Sequence, residues 1–330
     1  MVYLMFNPFK AGKREIYIPW KPNDPLEFTT YFGQQALKRR LEIRLNAMQP
    51  GDQLKALFAA PHGYGKTAVA RTLAYEMFKR DLVDYYVETV GSNFAVKADV
   101  DDLILKLKPK TFIFVDEIHA IAGGAREALY LAIHDNIYVY HRQNKLTKLP
   151  AGLSWVGATT ELGKVHPSLQ RRLLPMFLEP LTTDDLAHIV SSQPMPTKPD
   201  AAQLIGKLCT SPWEVKDELY ATARDMAKGS KLTCINKEIV NDACGVLGID
   251  QIGLRPQERR ILETLYKHPK VLRGERAFVM AKAPLTMMSG VDPDLYAAQI
   301  EPKLLNLQML QISSTGRELT SKALDTYFNE

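Results

Sequence analysis

The spacing of apolar positions changes along the chain in a way that predicts its elements. From Gln34 to Ala47 it is helical, with Ala36, Leu37, Leu41 and Leu45 on one face and Pro50–Gly51 as the stop. The run LKALFAA that follows (54–60) is short, unbroken and bounded, as a strand buried on both faces would be. A second helix is predicted from Lys66, a second buried strand from TFIFVD (111–116) and a third from LSWVGAT (153–159). Such strands alternating with helices predict an α/β fold with a parallel sheet.

From Asp184 to Leu247 the spacing is helical throughout, with SSQPMPTKPDA (191–201) as a loop. After Gly248 helices are predicted near Pro256–Lys267 and Tyr296–Leu305. Two strand-like runs, LQMLQIS and GRELTSKAL, then meet at a turn over Ser314–Gly316. Helices followed by a small hairpin predict a winged-helix module. The first 24 residues read as irregular.

Composition narrows the class. The 330 residues are 46% hydrophobic and 24% charged, with a net charge of +5. No apolar run reaches the ~18 residues of a membrane span. The N-terminus lacks a basic segment followed by a sustained apolar one, so neither a signal peptide nor a membrane association is expected. Cys209, Cys234 and Cys244 have no metal-ligand spacing and read as buried, reduced thiols of a cytoplasmic protein. The mild positive charge is compatible with a polyanion partner. Lys38, Arg39, Arg40 and Arg44 on the first helix, and His141, Arg142, Lys145 and Lys148 further on, are each either a solvated face or part of such a surface.

Two motifs carry the chemistry. Ala60–Thr67 reads APHGYGKT between a buried strand and a helix, the setting of a Walker A phosphate loop. Ala60, Pro61, His62, Gly63, Tyr64 and Gly65 would wrap the phosphates, Lys66 would reach the β- and γ-phosphates, and Thr67 would offer its hydroxyl to Mg²⁺. Ala60 stands where the motif begins with glycine, which is tolerable if that position needs no positive φ. FIFVDEIH then delivers Asp116 and Glu117 at the end of a strand. Asp116 would hold Mg²⁺ through its water shell, and Glu117 would orient or activate the attacking water. In an open α/β sheet both motifs fall on the carboxyl edge, so ATP and Mg²⁺ are the expected cofactors.

With these residues in place the chain resembles the AAA+ ATPases, and among them the RuvB family of Holliday-junction branch-migration motors. The resemblance rests on GATT (157–160), LQRRL (169–173), FGQQ from Phe32, DEIH (116–119), GLRPQERRIL (253–262) and the closing SSTGRELTSKAL. It implies an N-terminal extension (1–25), an AAA+ P-loop core (26–180), an all-helical lid (181–248) and a C-terminal winged-helix domain (249–330). It also implies that Thr160 is the polar sensor of the γ-phosphate. Arg172, or its neighbour Arg171, would be an arginine finger supplied in trans, and Tyr31 and Phe32 would lie where the family packs adenine. Arg317 resembles a DNA-contacting arginine of the wing. The implied partners are branched or double-stranded DNA bound without regard to sequence, further copies in a ring (a hexamer), and a recombination or replication protein.

Two departures stand out. The family's second sensor arginine, in a GTPR setting, is replaced by TSPWEV, so Trp213 or Glu214 takes its place and Lys216 is the nearest cation. The segment from Tyr138 to Pro150 is shorter than the family's partner-binding hairpin. Beside a DNA motor, the sequence therefore leaves open an ATP-switched loader of a helicase, clamp or recombinase, and a nucleotide-binding DNA scaffold with little turnover.

Overall fold

The computed structural model describes residues 3–4, 27–140, 146–272 and 275–328. Two compact units divide the chain: Met1–Ala60 with Tyr64–Glu179, and Pro61–Gly63 with Pro180–Glu330.

The first unit has strands β1 (Tyr3–Leu4), β2 (Lys55–Ala59), β3 (Tyr85–Val90), β4 (Thr111–Asp116), β5 (Ile137–Val139), β6 (Leu146–Lys148), β7 (Ser154–Thr159) and β8 (Leu174–Phe177). Six form one sheet in the order β1-β3-β4-β7-β2-β8, parallel except where β1 joins β3. The helices are α1 (Gln35–Ala47), α2 (Lys66–Lys79), α3 (Lys97–Ile104), α4 (Gly123–Asp135) and α5 (Pro167–Arg172). Successive side chains of a strand point to opposite faces, and β4 supplies both. Phe112 and Phe114 pack with Leu41, Leu45 and Leu73, while Ile113 and Val115 pack with Leu103, Leu129 and Trp155. Burial on both faces explains the unbroken apolar runs.

Three strands of the six-stranded sheet are absent from the sequence expectation. β1 lies within the segment read as irregular. β3 (YYVETV) hides its regularity behind Glu88, which is held by a two-pronged Arg71 contact (3.0 and 2.7 Å) and by the Tyr86 hydroxyl at 2.6 Å. β8 contains Pro175, which an edge strand tolerates. The basic cluster on α1 also splits. Lys38 is buried and its ammonium donates to the carbonyls of Phe28 (3.2 Å) and Tyr31 (2.7 Å), while Arg39 and Arg40 stay exposed. In the second cluster, residues 141–145 lie outside the described residues; Lys148, at the end of the β5–β6 hairpin, is exposed.

The second unit begins with four helices, α6 (Thr183–Ser191), α7 (Pro199–Leu208), α8 (Tyr220–Gly229) and α9 (Lys237–Leu247). Thr182 and Asp185 cap α6 reciprocally, which satisfies backbone donors at its start. A wider π-type turn, Glu214–Leu219, leads into α8. Then come α10 (Pro256–Lys267), β9 (Lys270–Leu272), β10 (Glu275–Ala277), β11 (Val279–Met280), α11 (Lys282–Ser289), α12 (Pro293–Leu295), α13 (Glu301–Asn306), β12 (Leu310–Ser313) and β13 (Gly316–Leu319). Strands β11, β13 and β12 form a three-stranded antiparallel sheet beside the helices, the winged-helix arrangement. The β9–β10 hairpin, β11 and α11 have no counterpart in the sequence expectation.

Buried charges join the helical lid to the winged helix. Lys303 of α13 lies 2.8 Å from Glu214 and 2.9 Å from Glu258, and Arg255 lies 2.5 Å from Glu218. Arg255 also donates to the carbonyls of Leu208 (3.1 Å) and Gly253 (2.7 Å). Burial works to raise the Glu214 carboxyl, but Lys303 and Arg255 outweigh it and hold its pKa below the usual range. At Glu258 burial wins and the pKa is raised. Lys303→Met is therefore expected to cost about 3–5 kcal/mol in the denaturant unfolding of the full chain, because it strands two buried carboxylates. A loss under about 1 kcal/mol would show that they relax at little cost.

Cys209 and Cys244 are the buried free thiols expected, whereas Cys234 is only half-buried, and burial pushes the Cys209 thiol up to about 12. Among the described residues no helix is long and apolar enough to cross a membrane.

Candidate functional site

The phosphate-loop sequence does take the strand–loop–helix form. Gly63 (φ 80°) and Gly65 (φ 88°) adopt the left-handed backbone that side chains disfavour, and this bends the chain before Lys66 opens α2. Ala60 is not among the residues with positive φ, so its methyl group costs no backbone strain, and its N–H donates to the Thr159 carbonyl at 3.3 Å. Lys66 is buried with its ammonium on the Ala60 carbonyl at 3.0 Å. Burial lowers its pKa, an effect that Glu117 and Asp116 partly offset.

Four of the expected residues meet at the carboxyl ends of β4 and β7. Thr67 donates its hydroxyl to Asp116 Oδ2 at 3.1 Å. Asp116 Oδ1 accepts the Glu117 N–H at 2.9 Å. Burial raises the Asp116 pKa despite that hydrogen bond. Glu117 Oε2 accepts from the Thr160 N–H (3.3 Å) and hydroxyl (3.1 Å), so the sensor candidate and the water-activating candidate are in direct contact. Glu117 itself has φ 46° and ψ 50°, a left-handed conformation costly for a non-glycine residue. Gly91 makes room for it: a Cβ there would stand 2.2 Å from the Glu117 carbonyl oxygen. Nothing in the local spacing marks Gly91 as part of the site, since the constraint comes from a neighbouring strand.

The remaining candidates are dispersed. Tyr31 is buried, and its hydroxyl oxygen lies 3.1 Å from where a Cβ on Gly65 would stand; Phe32 is half-buried. Tyr64 is buried at the start of the loop's second half. Pro61, His62 and Gly63 group with the second unit. Within that unit the Trp213 N–H donates to the Gly63 carbonyl at 3.3 Å, and the His62 and Trp213 rings meet edge-on at 6.2 Å. Trp213 is 41% exposed, whereas Glu214 is turned into the buried charge network, so neither neighbour supplies a cation at this position.

Arg172 donates to the Ser168 carbonyl at 3.0 Å and lies over the Tyr130 ring at 5.1 Å; Arg171 is exposed. Arg317 lies on the middle strand of the winged-helix sheet, opposite Ile312 and Met280. Its Nε donates to Glu301 Oε1 at 2.5 Å, beside the Tyr296 hydroxyl at 3.1 Å on the same oxygen. The side chain expected at a DNA surface is thus already engaged by a carboxylate of its own domain.

Residues 24–176 match the family model of the Holliday junction DNA helicase RuvB P-loop domain. The chain is 30% identical to the Holliday junction branch migration complex subunit RuvB of Kosmotoga olearia, over 91% of this chain and 88% of that protein. The chain belongs to the RuvB family. Another RuvB, from Synechococcus sp. (strain CC9311), is also 30% identical, over 90% of this chain and 83% of its own length. The solved Thermotoga maritima RuvB Holliday junction branch migration motor superposes with a TM-score of 0.76 at 27% identity, covering 92% of this chain and 97% of that one. The fold is accordingly the RuvB AAA+ fold, with its parallel sheet, helical lid and winged helix.

Proposed function

We propose that this chain is a ring-forming AAA+ ATPase that couples ATP hydrolysis to the translocation or remodelling of branched DNA, as a branch-migration motor would. The observation that carries the reading is the juxtaposition of Thr67, Asp116, Glu117 and Thr160 beside the phosphate loop, in a chain related to RuvB proteins along most of its length. The relatives are named for Holliday junction branch migration.

In this reading the loop backbone at Gly63 and Gly65 turns its N–H groups to phosphate oxygens, and the start of α2 favours the anion there. Lys66 neutralises β- and γ-phosphate charge from a desolvated position. A hydroxyl and a carboxylate 3.1 Å apart, Thr67 and Asp116, suit Mg²⁺, an oxygen-seeking ion that keeps several waters. Bound there, the ion would neutralise phosphate charge and steady the leaving group. Glu117 takes the proton of the attacking water as the water oxygen bonds the γ-phosphorus and the bond to the β–γ bridging oxygen breaks, ADP leaving with that oxygen. Thr160 reports the γ-phosphate to Glu117 through their shared hydrogen bonds. Tyr31 and Phe32 belong on the adenine side. Arg172 serves a neighbour's nucleotide, and Arg317 meets DNA phosphate by exchanging Glu301 for it.

The half-exposed Trp213 supports a second reading, in which ATP acts as a switch for loading a partner onto DNA. An indole donates one neutral N–H and cannot replace an arginine at a γ-phosphate. Particle size and ATPase rate, measured with and without ATP and with linear or four-way-junction DNA, test the choice. Nucleotide-dependent rings whose turnover rises on junction DNA, with strand displacement, are expected of the motor. Rings with slow turnover and no displacement would favour the switch, and a monomer indifferent to both ligands would overturn the proposal.

A further inference from the structure

The last residue of the DEIH motif has no part in the mechanism above, yet its imidazole stands against Glu117. His119 lies in the short 3-10 turn Ile118–Ala120 directly after β4. Its Nδ1 is 2.9 Å from Thr159 Oγ1 and 3.1 Å from Glu117 Oε2, and its Nε2 is 3.4 Å from Glu161 Oε2. Glu161 is itself paired with Lys164 at 2.7 Å, and its N–H donates to Thr159 Oγ1 at 3.0 Å.

We propose that His119 is a positioning residue that fixes the Glu117 carboxylate for water activation. The proposal rests on the assignment of Glu117 made above. Glu117 Oε2 is contacted from three directions: the Thr160 N–H, the Thr160 hydroxyl and the His119 Nδ1 edge. Oε1 carries none of these contacts. A glutamate whose side chain is 37% exposed has several rotamers open to it, and anchoring one oxygen leaves the other aimed in one direction. Holding the accepting oxygen near the water is worth more than proximity alone, because a small misplacement is costly in rate.

The protonation pattern follows from the neighbours. A bare Nδ1 lone pair 3.1 Å from a carboxylate oxygen would repel it, so the positioning role takes the tautomer with its proton on Nδ1. That N–H donates to Thr159 Oγ1 and sets the positive edge of the ring beside Glu117. Thr159 ends β7 and Thr160 follows it, so the carboxylate is tied from both sides to the strand next to its own. The Nε2 edge faces Glu161, whose charge Lys164 already balances. The function thus belongs to Nδ1 and not to Nε2.

This asymmetry gives a test that a merely structural histidine would not pass. An asparagine amide nitrogen reaches the place of Nδ1, and a glutamine amide nitrogen reaches that of Nε2. In the full-length protein, steady-state ATPase and the affinity for a fluorescent ATP analogue are measured for His119→Ala, His119→Asn and His119→Gln. His119→Ala is expected to lower kcat by about 10- to 100-fold, as misplacement of a catalytic group does, with analogue Kd within about twofold of wild type. His119→Asn should recover most of kcat, and His119→Gln should stay near the alanine value. A His119→Ala kcat within about twofold of wild type would overturn the proposal. So would a Kd that weakens in step with kcat, or rescue by glutamine equal to that by asparagine. Glu117→Gln in the same assay separates the two levels. If that variant keeps turnover, the Glu117 assignment itself fails; if it loses turnover while His119→Ala keeps it, only the inference about His119 fails.

Discussion

Replacing Glu117 by Gln is expected to reduce ATP turnover by about 10²- to 10⁴-fold, the range for removing a general base, with nucleotide affinity close to that of wild type. The amide keeps the size of the carboxylate and can still accept the Thr160 hydrogen bonds at its oxygen. It cannot take a proton from water. In the mechanism proposed above phosphate binding stays with Lys66 and the loop backbone, so the variant should retain nucleotide. Single-turnover hydrolysis with an independent binding titration is the check. Turnover near wild type would remove Glu117 from the chemistry, and a parallel loss of affinity would make it a binding residue instead.

The second large effect concerns Arg172. If it completes a neighbour's site, Arg172→Ala should cost about 10³- to 10⁵-fold in the assembled protein, as loss of an arginine finger does. Arg171→Ala is the control, since Arg171 is exposed while Arg172 is seated on Tyr130 and the Ser168 carbonyl. The decisive measurement mixes Arg172→Ala subunits, which keep a complete phosphate loop, with Lys66→Ala subunits, which keep the arginine. Some mixed interfaces then have both parts, and activity should rise above that of either variant alone. No recovery at any ratio would count against action in trans, and a dominant loss in Arg171→Ala would move the role by one residue.

The sheet-bearing core was legible because its signals are local. A strand buried on both faces is an unbroken apolar run, and Lys66, Thr67, Asp116 and Glu117 occupy fixed places relative to two such runs. Strands β3 and β8 were harder to read for the opposite reason. Glu88 is at home in β3 only because Arg71 reaches it from α2, and Pro175 is tolerable only because β8 is an edge. The same distinction runs through the site. Asp116 and Glu117 announce themselves by spacing, whereas Gly91 and His119 matter through partners 26 and 40 residues away, Glu117 and Thr159. A helical stripe of four cations could not reveal that Lys38 turns inward to hold two carbonyls, because the carbonyls belong to the preceding turn. Arg317 shows how a resemblance can suggest a role for a residue without telling what it touches.

The buried charges between lid and winged helix have a consequence for how the protein responds to salt. Binding to a DNA backbone weakens steeply as ionic strength rises, because it depends on displaced counterions. Lys303 and Arg255 lie out of reach of that ionic atmosphere, with side chains only 6% and 11% exposed. On the function proposed above, salt sufficient to release DNA should therefore leave this junction intact, so that the two parts it joins need not be rebuilt before DNA is bound again.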